Sequence, residues 1–164
     1  MQFTLNQYKK ILNGFFEDHL QINTVLFGNK FDFNGKNDII YPVANIRFLD
    51  SSTSATQIID RFEITIADLQ DDEIPDSEFE IINDVTQIAY DFLNYLYADE
   101  YAFHFQVSNV TTINNFSETN DDITAGVNFA INLSQNRIIN PCSIPNVAKT
   151  NNSVFPYTLP LQLI

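Results

Sequence analysis

Two histidines and one cysteine are the side chains of this sequence best suited to bind a metal or to act as a base or nucleophile. His19 and His104 match no spaced motif of histidines and carboxylates. Cys142 follows a proline, and no His, Lys or Arg lies within four residues to favour its reactive thiolate form. We therefore predict no catalytic residue, no metal ligand and no enzymatic activity.

An acidic stretch, DLQDDEIPDSEFE from Asp68 to Glu80, supplies the hard oxygen ligands that calcium or a metal-dependent hydrolase uses. It lacks the glycine and the distal glutamate of a calcium loop, and no histidine completes a hydrolase site. We interpret it as a solvated acidic loop that leads into a helix. The alternatives are a calcium site, a repulsive lining that faces DNA, and a docking patch in which Asp71, Asp72 and Glu73 contact a neighbouring protein.

The composition excludes further classes of function. Four glycines form none of the phosphate-binding patterns and no nucleophile elbow, so we expect no cofactor. The net charge of -13, from 21 acidic and 8 basic residues, disfavours contact with phosphate backbones and predicts no specific nucleic-acid binding. The N-terminal residues MQFTLNQYKK lack the apolar run of a signal peptide, and no stretch is apolar enough to span a membrane. We expect a soluble protein that is made in a cytoplasm.

Two amphipathic helices are predicted. The first begins with the spacing of a capping box at Thr4 and Gln7, and the second with the same spacing at Ser77 and Glu80. Apolar residues then recur every three or four positions on one face of each helix. They are Tyr8, Ile11, Leu12, Phe15, Phe16 and Leu20 in the first helix, and Ile82, Val85, Ile88, Ala89, Phe92 and Leu96 in the second.

Short extended runs surround these helices. Alternating apolar residues and turn signals predict strands within 21–29, 31–38, 41–49, 61–69, 103–113 and 123–134. The polar residues 114–122 are interpreted as a loop too long for a tight hairpin. This order predicts an α+β fold with a mainly antiparallel sheet and both helices packed on one face. The strand over 61–69 would pair across subunits if it lay at a sheet edge.

The chain after Arg137 changes character. Four prolines interrupt regular structure, yet the apolar content exceeds that of a solvated linker. We therefore predict a domain over residues 1–140 and an extended C-terminal arm over 141–164 that lies on an adjacent subunit or ring. The alternative is an arm folded back over its own sheet. The arm residues predicted to make contacts are Phe155, Tyr157, Leu159 and Leu161.

A resemblance follows from the order of five segments: HLQINTVLFGN, YPVANIRFL, RFEITIADL, EIINDVTQIAYDFLNYL and DDITAGVNFAINLSQNRIINPCSIP. Together they resemble the small neck and tail-completion proteins of tailed bacteriophages, especially those that infect Bacteroidetes. This group forms rings between the portal and the tail, including connector or stopper rings and tail terminators. The resemblance covers about residues 1–145 as an order of elements.

The resemblance implies a structural virion protein without catalytic residues. It implies a homo-oligomeric ring of six or twelve copies in the phage neck or tail, assembled in the host cytoplasm and bound to the portal or to adjacent ring proteins. The alternative from another class is an acidic inhibitor that mimics DNA and blocks a host DNA-binding protein. Mimicry requires carboxylates spread over one long face, whereas those of this sequence concentrate between Asp60 and Glu100.

Overall fold

A computed structural model of the chain describes residues 3–28, 39–71, 73–98, 104–107, 111–119 and 123–138. Two helices and six strands make up this part of the chain, as the sequence predicts for an α+β fold. In chain order they are α1 (Leu5–Asp18), β1 (Thr24–Phe27), β2 (Val43–Thr53), β3 (Gln57–Leu69), α2 (Ser77–Leu96), β4 (Gln106–Val107), β5 (Ile113–Thr119) and β6 (Ile123–Asn136). The predicted strand over 31–38 lies outside the described residues.

The strands form one sheet in the order β1-β2-β3-β6, and β4 and β5 both pair with the outer side of β6. β1 runs parallel to β2, and the other pairs are antiparallel, which confirms the mainly antiparallel sheet. β3 pairs with β2 on one side and with β6 on the other. The hypothesis that residues 61–69 pair across subunits is therefore wrong, because those backbone groups are already used.

Both helices pack on one face of the sheet, as predicted. α1 lies over β1 and β2, and α2 lies over β3 and β6. The rings of Phe16 and Phe92 stack with their centroids 4.8 Å apart, and Phe129 of β6 lies 6.1 Å from Phe92. Alternate residues of the strands point toward the helices and form the other half of this core. The strand residues buried under the helices are Ala44, Ile46, Phe62, Ile64, Ile66, Val127, Ile131 and Leu133.

The two helix starts differ from each other. Thr4 caps α1 with a capping box to Gln7, as the spacing predicts. The predicted box of α2 is wrong, because Asp76 is its N-cap residue and makes no side-chain cap. The hydroxyl of Ser77 instead accepts a hydrogen bond of 3.1 Å from the amide of Asp71. The hydroxyl oxygen of Ser77 thus closes the preceding loop and does not cap α2.

The edge at β4 and β5 also departs from the sequence prediction. One strand over 103–113 followed by a polar loop was expected, but β5 begins at the end of that range and runs through most of the predicted loop. The pairing of Thr119 with Ile123 brings the end of β5 beside the start of β6. β5 reads as a loop because it is an edge strand, where polar residues such as Asn114 and Ser117 stay exposed.

The second face of the sheet carries an apolar patch and a polar row. Gly126 lies under the ring of Phe116, and a methyl group there would overlap the carbonyl oxygen of Ile66. Glycine is required at this position for the close approach of β3 and β5 to β6. Beyond the patch, the amide of Asn128 donates a 3.0 Å hydrogen bond to Thr65, and Arg47 pairs with Glu63.

The end of β6 is fastened to the start of the chain. The side-chain oxygen of Gln135 accepts a 2.6 Å hydrogen bond from the amide of Phe3, and its NH2 donates a 2.9 Å bond to the Phe3 carbonyl. Arg137 then contacts the β2–β3 turn through the backbone oxygens of Ser54 and Thr56. The predicted C-terminal arm, 141–164, lies outside the described residues, so its position stays a prediction.

Candidate interaction surface

The acidic loop between β3 and α2 is held by its own backbone and by one carboxylate. Oδ1 of Asp71 accepts a 3.0 Å hydrogen bond from the amide of Glu73, and the Asp71 carbonyl accepts one of 3.2 Å from Ile74. Asp71 and Glu73 are both exposed. Of the predicted interface residues, these two lie together in one loop, where Asp71 also shapes the turn.

The base of this loop concentrates negative charge. Burial raises the pKa of the Asp68 carboxyl, the nearby Asp84 carboxylate raises it further, and a hydrogen bond from the Leu69 amide opposes both effects. Asp76 and Glu78 extend the negative charge into the first turn of α2. The charge of Glu78 is favourable there, since the N-terminus of a helix carries partial positive charge.

Exposed apolar side chains stand among these carboxylates. Ile74 in the loop is 58 % exposed and Phe79 in the first turn of α2 is 69 % exposed. Together with Ile82 and with Asn115 of β5 they line an open groove of about 420 Å³. A groove with exposed apolar and acidic side chains is suited to a peptide segment that carries apolar side chains and no negative charge.

A row of three aromatic residues continues from this groove along α2. Phe79, Tyr90 and Tyr97 lie about three and then two helical turns apart, so their side chains project in nearly the same direction. Tyr90 is 50 % exposed and Tyr97 is 46 % exposed. The row spans roughly 27 Å of the helix axis, at about 1.5 Å per residue.

The aromatic row faces away from α1. The flank of α2 nearest α1 carries Asp91, whose carboxylate lies 3.8 Å from His19, and Tyr95, whose ring centroid lies 5.1 Å from that of Phe15. Phe79 instead shares the groove with Asn115 of β5. We call this outer surface, formed by the aromatic row and the acidic loop, the α2–β5 side.

The opposite edge of the sheet has a different chemistry. Lys9 and Lys10 are exposed on α1, and the ammonium of Lys9 lies 4.6 Å above the centre of the Phe27 ring on β1. This geometry is a cation–π contact at an exposed site. We call this surface the α1–β1 side. The two lateral sides of the sheet are thus unlike: one carries the acidic loop and the aromatic row, and the other carries two lysines beside Phe27, with exposed Glu17 and Asp18 farther along α1.

The histidines take part in packing contacts. The ring of His104 lies 5.2 Å from that of Phe3, and His19 lies 5.4 Å from Phe15. In the part of the chain that the structure describes, no three His, Cys, Asp or Glu side chains are grouped to hold a metal ion. Within the same ranges, neither helix has the length and apolarity to cross a membrane. Cys142 lies outside them.

Sequence reasoning found the acidic loop but missed the aromatic row. Asp72 and the predicted arm contacts Phe155, Tyr157, Leu159 and Leu161 lie outside the described residues. A usable signal for the row existed, because Phe79, Tyr90 and Tyr97 share one helical direction that differs from that of the buried residues of α2. A search of protein-family models and a comparison with curated proteins both found no match to this chain.

Proposed function

We propose that this protein is a structural virion component that forms a closed ring in the neck or tail of a tailed bacteriophage. The ring lies between the portal and the tail, as a connector, stopper or tail terminator, and its partners are further copies of the chain and the adjacent ring or portal proteins. The protein is assembled in the host cytoplasm and has no catalytic role. The phage assignment depends on the order of sequence segments that resembles neck and tail-completion proteins.

The observation that carries the ring is the unlikeness of the two lateral sides. A contact between two different surfaces of the same chain is heterologous, and repeating it produces a ring when the rotation closes. The α2–β5 side and the α1–β1 side lie at opposite edges of one sheet. A second copy can therefore bind each side without blocking the other.

Charge and apolar surface are complementary across this contact. Glu73 and Glu78 are exposed on the acidic α2–β5 side, and Lys9 and Lys10 are exposed on the α1–β1 side. Opposite charges across an interface increase the association rate and select the register. The row that includes Phe79 supplies the apolar area, since aromatic residues are enriched in the buried parts of protein interfaces.

A charge-swap experiment tests the ring. Glu73→Lys with Glu78→Lys places positive charge on both sides and should abolish assembly, and Lys9→Glu with Lys10→Glu should do the same with negative charge. The protein that carries all four changes should assemble better than either double variant, because each new lysine again faces a new carboxylate, although Asp71 and Asp76 keep their negative charge. Mass photometry and negative-stain imaging would show the rings. Rescue by the fourfold variant is the decisive result.

Two outcomes would count against the proposal. If the wild-type protein stays monomeric both alone and when mixed with its candidate portal, there is no ring to explain. If the fourfold variant fails to assemble while the wild type forms rings, the two sides do not face each other. Glu80→Lys with Asp91→Lys is the matched control, because it changes the net charge equally on the flank of α2 that faces α1, where Asp91 lies 3.8 Å from His19.

The DNA-mimic alternative finds one supporting feature, the exposed carboxylates of Glu80, Asp84 and Asp91 along α2. A mimic acts as a soluble competitor and presents phosphate-like charge over a long face. The neighbouring aromatic row has no counterpart in a phosphate backbone, which favours a protein partner. A monomer that displaces DNA from a host DNA-binding protein would favour the mimic over the ring.

A further inference from the structure

The groove beside the acidic loop is lined by three apolar side chains and by carboxylates and uncharged polar groups. This lining comes from the loop and from the first two turns of α2, and β5 closes one side. Its volume of about 420 Å³ is large enough for a few apolar side chains and too open to enclose a small molecule. The apolar residues are Ile74, Phe79 and Ile82, and the acidic ones are Asp71, Asp76 and Glu78.

One segment of this chain has the complementary chemistry. All 21 carboxylate side chains of the protein precede Arg137, and the residues from there to Ile164 have only two charged side chains, those of Arg137 and Lys149, both positive. The same segment is rich in apolar residues and contains four prolines. A segment of this composition meets no electrostatic repulsion at an acidic groove, whereas the acid-rich residues 50–136 would.

The position of β6 sets the distance that this segment has to cover. The amide of Gln70 donates a 2.8 Å hydrogen bond to the carbonyl of Ile123, so the groove lies near the start of β6. β6 ends 13 residues later at Asn136, roughly 43 Å away at about 3.3 Å per residue. The residues from 139 to 164 reach up to roughly 80 Å when extended, which exceeds the distance to the groove of the same chain and leaves length to cross to a neighbouring copy.

We propose that the groove binds residues 139–164 of the neighbouring copy in the ring. This inference rests on the proposed function, because it is the ring that places the α2–β5 side of one copy against the next. The prolines favour an extended backbone, which lets apolar side chains enter the groove one after another. Lys149 adds a positive charge that the carboxylates of the groove attract.

The exchange would change how the ring is held. Each copy would give one segment and receive another, so every interface would join a domain contact to a tethered peptide contact. Linking two contacts raises the effective concentration of the second, and the combined affinity exceeds that of either alone. Ordering the segment opposes this gain, which makes binding conditional on the domain contact.

Photocrosslinking from the groove tests the inference on the full chain. The photoreactive residue p-benzoylphenylalanine replaces Phe79 in one chain, which is co-expressed with a second chain that has Phe79 intact and carries Val154→Ile. That change makes every peptide containing residue 154 heavier by one methylene group. We expect irradiation to join the Phe79 position to peptides from 139–164, with the heavier peptide prominent among them. A second photoprobe at Ile74 should capture the same segment.

The heavier peptide shows whether the captured segment belongs to another copy, because it can come only from a chain other than the one that carries the probe. Recovery of the lighter peptide alone would show that each groove binds its own segment and would overturn the inference. Capture of only other sequences, such as those of the α1–β1 side, or of none from both probe positions, would also overturn it. The same probe at Leu20, which is fully exposed outside the groove, serves as the control and should give no such peptide.

Mass photometry of the same preparation separates this inference from the proposed function. Rings that form without the crosslink would leave the proposed function standing and overturn the peptide contact. The heavier crosslinked peptide in a preparation that contains dimers and no rings would support the contact and contradict the ring.

Discussion

Removing two rings of the aromatic row by Phe79→Ala with Tyr90→Ala should weaken assembly without weakening the fold. Fully burying a phenylalanine contributes about 1.5–3 kcal/mol. Phe79 is 69 % exposed in the single chain, so covering the rest of its ring in an interface would contribute about 1–2 kcal/mol. Tyr90, half exposed, adds a somewhat smaller amount, so each contact should lose about 2–3 kcal/mol in the double variant.

That loss corresponds to an association constant roughly 30- to 150-fold smaller for each contact, since about 1.4 kcal/mol is a factor of ten. Sedimentation velocity over a concentration series would measure it. The melting temperature should not fall, because changes at exposed sites cost within about 0.5 kcal/mol and alanine is the better helix former. Ile138→Ala, at a 53 % exposed position beyond β6, is the matched control and should leave association unchanged.

Two results would refute this reasoning. Association that is unchanged in the double variant, together with an unchanged melting temperature, would show that the row is not a subunit contact. A melting temperature lowered by many degrees would show that the rings are packed within the chain and that their exposure has been misjudged.

Four further predictions concern the single chain. Tyr8→Phe should leave the free energy of unfolding unchanged or raise it by up to about 1 kcal/mol. The buried Tyr8 hydroxyl makes no hydrogen bond within the described residues, and both its burial and the charge of Asp60 raise its pKa. A large loss of stability would reveal a hydrogen-bond partner. Gly126→Ala should destabilise by about 1–3 kcal/mol in urea unfolding, because the methyl group overlaps the Ile66 carbonyl oxygen; a neutral effect would show that β3 yields. The pKa of Asp68 is raised in the folded state, so the folded protein holds this proton more tightly than the unfolded chain does. The contribution of Asp68 to stability therefore falls as pH rises from below roughly 3.9, the unfolded pKa, to above the folded pKa. Asp68→Asn should raise the melting temperature at pH 7 and bring little gain at pH 3. Deletion of 148–164 should leave the melting temperature of the monomer unchanged and prevent assembly. A lower melting temperature would show that the segment packs against the domain of its own chain.

The sequence predicted those elements whose packing follows a single period. α1 with its capping box, α2, and the three long strands β2, β3 and β6 each bury alternating or helically spaced apolar residues, and that pattern is local. The helix-covered face of the sheet follows from it. These parts of the fold need no knowledge of what lies next to them.

The errors arise where a distant partner decides the structure. β5 is rich in Asn and Ser and forms because β6 offers an unpaired edge. The N-cap of α2 is Asp76, and the hydroxyl of Ser77 bonds to the amide of Asp71, six residues before. The central place of β3 depends on β6, which lies more than fifty residues later in the chain. The acidic loop of the candidate surface could be predicted from composition, whereas the groove requires the meeting of α2 with β5.

The place of β6 in the sheet has a consequence for synthesis. It pairs along the whole of β3 and also holds β4 and β5, yet among the described strands it is the last to leave the ribosome. Until it arrives, the nascent β2–β3 hairpin exposes an apolar edge to other nascent chains, which is the condition for misassembly. Pairings this far apart in sequence also fold slowly. The yield of native protein should therefore depend on translation rate and on chaperones that shield β3 before β6 is complete.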